Sequence, residues 1–252
     1  MRLMKRILSA AAVLALSASL LVGCSSGTAS SVPVSASSAA ESTVSSVEET
    51  ASSAVDENEA AAAQLLNDLT GSYQELWPVI LADEYKQTWL DDCTALVGED
   101  NAEAAFEKLS SMVTGDVYGE DAVKAYANGG GAYFCGFTNS LATLTFDGET
   151  STISGTDKDG NVLFSHTYHY IGMEPVHGLY EFESDDADSG EFTYFFLAPD
   201  TSAETYHIEF RYGSDAEALS QYDAGEYAYW VASGISTDCD QTMIDNCIEL
   251  FC

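Results

Sequence analysis

The chain has 252 residues, with 41 Asp and Glu against 8 Lys and Arg and a formal net charge of -33 at pH 7. Phosphate contacts need Lys and Arg, so this balance excludes nucleic acid as a partner. The same field attracts cations and raises their concentration at the surface.

The first residues read as a targeting segment. Arg2, Lys5 and Arg6 precede an apolar run from Ile7 to Val22, and Leu21-Val22-Gly23-Cys24 closes it. The run is too short and wrongly flanked for a stable transmembrane helix. Leu-x-Gly-Cys after such a run is a bacterial lipoprotein cleavage pattern. Residues 1–23 are therefore expected to be a signal peptide, with Cys24 as the lipidated N-terminus of a protein anchored in the cell envelope, outside the cytoplasm. Residues 24–60 are rich in Ser, Ala, Thr and Glu and nearly free of large apolar side chains. They bury too little to offset chain entropy and are expected to form a disordered tether. Residues 61–252 have the length of one folded domain.

Beyond Cys24, the cysteines are Cys93, Cys135, Cys239, Cys247 and Cys252, an odd number with no C-x-x-C pair. A cysteine-based zinc knuckle is not expected. Export permits disulfides, but the spacing assigns none. Cys239 and Cys247 are expected on one helix, too far apart to bridge there.

From about Glu57 to Ala127 the apolar pattern is helical. Tyr73, Leu76, Trp77, Ile80 and Leu81 recur at helix spacing, followed by helical patterns over Glu84 to Leu90 and Ala102 to Met112. Their aromatic stripes read as core packing. At Asn128 to Gly131 the period changes. Strands are expected over Ala132 to Phe137, Leu141 to Phe146, Val162 to Tyr170, Gly178 to Glu183, Phe192 to Leu197 and Thr205 to Tyr212, with tight turns at Asp147-Gly148 and Asp157 to Gly160. Short strands joined by tight turns argue for an antiparallel barrel or sandwich, and the spacing does not choose between them. Ser214 is expected to cap a short helix over Asp215 to Tyr222, and a last helix is expected from about Thr237.

The strand Thr205 to Tyr212 alternates strictly. Tyr206, Ile208, Phe210 and Tyr212 take one face, and His207, Glu209 and Arg211 the other. Ligand-type side chains at i and i+2 stand roughly 7 Å apart at the backbone, close enough to converge on one metal ion; an edge strand with a wet polar face is the plainer alternative. A zinc site needs three or four ligands, so His177 or His169 is the candidate third. His166 and His169, three apart in one strand, face opposite sides. No Gly-x-Ser-x-Gly, His-Glu-x-x-His, P-loop or dinucleotide fingerprint is present, so no enzyme is expected, and a hydrolase is the weakest alternative.

The order of a His-x-acceptor strand, the Gly213-Ser214-Asp215 turn, a short helix, the aromatics Tyr227, Tyr229 and Trp230, and a last helix resembles the C-terminal half of the ZinT/YodA family of zinc-binding proteins. The resemblance extends over about Leu65 to Phe251. It implies a mostly β, α+β fold: a lipocalin-like (calycin) antiparallel β-barrel capped by N-terminal and C-terminal helices. It also implies Zn²⁺, or a similar divalent cation, captured for uptake or homeostasis, with a metal-uptake transporter as partner. The family's His-x-His is matched by His207 and Glu209. Alignment on Ala198-Pro199 puts Phe195 where the family carries another metal-binding His, so the ligand set departs from the family's, and Phe195 is expected to share the space of His207 and Glu209. The rival reading is a barrel that has lost its metal site and binds a small apolar ligand or a surface partner through its Tyr and Phe side chains.

Overall fold

The computed structural model describes residues 57–127, 131–198 and 207–252. The expected signal peptide, Cys24 and almost all of the tether lie outside the described residues. Helix α1 (57–68) opens the described chain and takes in the last four residues of the expected tether.

Eight strands follow in sequence around a closed antiparallel barrel: β1 (Gly71–Glu75), β2 (Thr143–Asp147), β3 (Thr152–Thr156), β4 (Val162–Met173), β5 (Tyr180–Ser184), β6 (Tyr194–Leu197), β7 (His207–Gly213) and β8 (Ala232–Ser236). Each pairs with its sequence neighbour, and β8 returns to β1 through Tyr73 opposite Ser236 and Glu75 opposite Gly234. Closure removes every sheet edge, so β7 is not the edge strand of the plainer alternative. The turns at Asp147 to Thr152 and Thr156 to Val162 are the tight hairpins expected from Asp-Gly and Asp-x-Asp-Gly.

Cross-strand pairs fix which side chains point inward. Phe182 faces Phe195, Phe195 faces Tyr212, and Phe210 faces Ala232. These share one buried cluster with Tyr73, Phe146, Phe164 and Trp230. An eight-stranded barrel is just wide enough for its own side chains to fill it, and here aromatic rings do so. Tyr168 and Phe195 meet edge-on at 5.4 Å, and Phe195 and Tyr212 stack at 5.4 Å. From α1, Ala62, Leu65 and Leu66, with Leu69 beyond it, join this interior cluster.

A second cluster lies against the outer side of the wall. Between β1 and β2 the chain forms α2 (Leu76–Ile80), a 3₁₀ turn (Asp83–Tyr85), α3 (Lys86–Val97), α4 (Glu99–Val113) and α5 (Glu120–Tyr126). After β7 comes the single turn α6 (Ala216–Leu219), and after β8 comes α7 (Gln241–Phe251). Leu76, Trp77, Ile80 and Trp89 pack with Ile244, Cys247 and Ile248 of α7 around Ile235. Ile235 points outward because its neighbour Gly234 pairs with inward-facing Ile208. Asp215, not Ser214, caps α6: its carboxylate accepts the Ala218 N–H at 3.0 Å. Asp240 does the same for Met243 at the start of α7. That start leaves Cys239 ahead of the helix, so the two cysteines expected to share a helix do not.

Candidate functional site

Strand β7 keeps the expected alternation, and the outer face is the polar one. His207 pairs across the ladder with Ile235, and Glu209 with Ser233. His207 is buried, 3% exposed, with its imidazole edge-on to the Phe251 ring of α7 at 5.5 Å. Glu209 is half-buried. Its charge reaches Cys135, whose thiol is pushed up to about 12, first by burial and then by Glu209. That thiol stays protonated near neutral pH and is not a reactive nucleophile.

Arg211, two residues on, is fully buried. Its guanidinium donates to the carbonyls of Leu219, Gln221 and Tyr227 and lies 4.2 Å over the Tyr222 ring. It is a clasp that ties α6 and the segment after it onto the barrel wall. Desolvation pulls its pKa down, while Tyr222 pulls it up.

The two candidate third ligands stand elsewhere. His169 is on β4, exposed, with Nδ1 2.7 Å from Asp185 Oδ1. His177 follows β4, its ring 3.9 Å from Tyr222 and its Nδ1 3.3 Å from Glu174 Oε2. Glu174 is itself buried and accepts the Val176 and His177 amides. Among the described residues, no group of three or more His, Cys, Asp or Glu side chains is gathered so as to hold a metal ion. His169 and His177 thus do not complete a site with His207 and Glu209. Phe195 is also corrected: it pairs with Tyr212, on the inner face, opposite to His207 and Glu209.

A feature that sequence reasoning missed adjoins this face. An open cleft of ≈ 380 Å³ is lined by Glu75, Trp77, Pro78, Leu81, Phe134 and Cys135, among others. Glu75 Oε1 accepts the Phe137 amide at 2.6 Å. The indole Nε1 of Trp77 is buried and faces the Cys135 thiol. The sequence offered Trp77 only as one residue of a helical stripe, and nothing in that stripe marks it as lining a cleft.

No protein-family model and no curated protein matches the chain. Solved structures are similar to it, two of them as follows. One is the Zn(II)-bound ZinT-like domain of Streptococcus pneumoniae AdcA, at 16% identity and TM-score 0.46, covering 73% of this chain and 89% of that one. The other is Zn(II)-bound Streptococcus pneumoniae AdcA, at 16% identity and TM-score 0.41, covering 73% of this chain and 34% of that one.

Proposed function

We propose that this is an extracytoplasmic, lipid-anchored protein that binds a divalent cation, Zn²⁺ above all, for uptake or homeostasis, and that it is a binder and not an enzyme. The observation that carries the reading is the pair His207 and Glu209, at i and i+2 on one face of β7. Their residue types suit zinc, and the acidic surface supplies the ion. Two protein ligands fall short of the three or four that zinc takes, so binding is weaker than at a three-His site. The anchor through Cys24 and delivery to an uptake transporter follow from the leader and the family resemblance.

Calorimetric titration with Zn²⁺ tests it. His207→Ala is expected to lower affinity at least roughly tenfold, about 1.4 kcal/mol. Affinity should fall as pH is lowered, because only neutral imidazole binds metal. Zinc binding indifferent to His207→Ala would sink the reading.

A further inference from the structure

We propose that Cys93 and Cys252 form a disulfide that staples α7 to α3. Cys93 sits on α3, buried, 4% exposed. One turn earlier on the same helix is Trp89, whose carbonyl receives the Cys93 amide in an α-helix. The Cys252 thiol reaches that carbonyl, with Sγ 3.9 Å from Trp89 O. The sulfur is thereby placed beside Cys93, the residue whose amide shares that carbonyl and whose thiol acts on Cys252. They come from elements about 160 residues apart in sequence, so the link closes a long loop and constrains the unfolded chain strongly. Cys247 lies buried in the outer cluster, Cys239 ahead of α7 and Cys135 beside Glu209.

The chemistry needs an oxidant, and a disulfide, either small or on a thiol–disulfide exchange protein, is the class that fits an exported chain. Burial, then Cys93, raises the Cys252 thiol, so a solvent base must take its proton as the sulfur of Cys252, the more exposed of the pair, attacks one sulfur of R′S–SR′ and expels R′S⁻, which takes up a proton. The Cys93 thiolate then attacks the Cys252 sulfur of the mixed disulfide and expels the second R′S⁻. Two protein thiols and one external disulfide become one protein disulfide and two external thiols, with two electrons passing to the oxidant. Cys252 follows Phe251, whose ring packs on Trp77 at 4.9 Å and against His207, so the staple also holds the outer cluster over β7.

The test is to incubate the folded full chain with oxidised glutathione, alkylate the remaining thiols under denaturing conditions, and sequence linked peptides by tandem mass spectrometry. The expected result is a Cys93–Cys252 link, lost in Cys252→Ser and in Cys93→Ala. The oxidised wild-type chain should melt higher by roughly 5 °C or more, a rise absent from both variants. The proposal is overturned if the native chain yields no such link, or if the link forms and the melting temperature does not rise.

Discussion

Phe195 shows what alternation can and cannot deliver. The strand period placed His207, Glu209 and Arg211 on one face of β7 correctly, since that period belongs to the backbone. Which face β6 turns to the same side depends on register, and a shift of one residue inverts it. Alignment across a loop of uncertain length put Phe195 beside His207, whereas the ladder puts it opposite Tyr212 with 0% exposure. Phe195→His is accordingly expected to leave zinc affinity unchanged and to destabilise the fold by about 3 kcal/mol through lost packing, measured by urea unfolding beside the zinc titration. A tenfold gain in affinity would show that the ring faces the metal pair after all. Arg211 was legible only as a polar position on the outer face. Its burial becomes visible once the carbonyls of Leu219, Gln221 and Tyr227 turn toward it. Arg211→Met strands those carbonyls and should cost roughly 3–5 kcal/mol by the same unfolding measurement; a loss below about 1 kcal/mol would show that solvent replaces the clasp.

Among elements, the strands with strong alternation and turn chemistry were readable, and those at the closure seam were not. Tyr73, Leu76 and Trp77 fit helix spacing, yet Tyr73 belongs to β1 and the helix begins only at Leu76. A five-residue strand running directly into a helix leaves no turn signal between them. Strand β8 reads Ala-Ser-Gly-Ile-Ser, with no β-branched or aromatic run. At Gly234 a Cβ would meet Ile208 Cγ1 at 3.1 Å, a close approach that only the pairing of β7 with β8 creates. Conversely, Ala132 to Phe137 was expected as a strand and contributes only isolated bridges at Phe134. The contact of α3 with α7 carries a like-charge conflict. Burial, then Glu249, Asp245 and Asp91, raise the Asp92 carboxyl above its ordinary value. A carboxyl raised on folding supports the folded state when protonated; that support is present below the unfolded value near ~3.9 and is lost as pH rises through the raised one. At pH 7 Asp92 therefore works against the contact. Asp92→Asn is expected to raise the melting temperature there by roughly 2 °C, with the gain shrinking toward pH 4. A midpoint unchanged at pH 7 would show that solvent screens the conflict.

At the scale of the whole molecule, the barrel wall is shared by two apolar clusters. Strand β8 turns Ala232 to the interior and Ile235 to the outer cluster, so neither cluster can disperse without exposing the other's wall. We expect one cooperative transition. The distribution of tryptophan makes that measurable by light. Trp230 lies in the inner cluster, and Trp77 and Trp89 in the outer one. Chains keeping Trp230 alone, or Trp89 alone with Phe at the other two positions, would report the clusters through separate emission spectra, each shifting to longer wavelength as water reaches its indole. Each single-tryptophan chain should give the same unfolding midpoint by emission as by far-ultraviolet circular dichroism; an emission change that precedes the loss of secondary structure in the Trp89 chain would mean that the helical flank peels from an intact barrel. The wall strand that carries both clusters is thus also an optical partition between two dyes that the chain already contains.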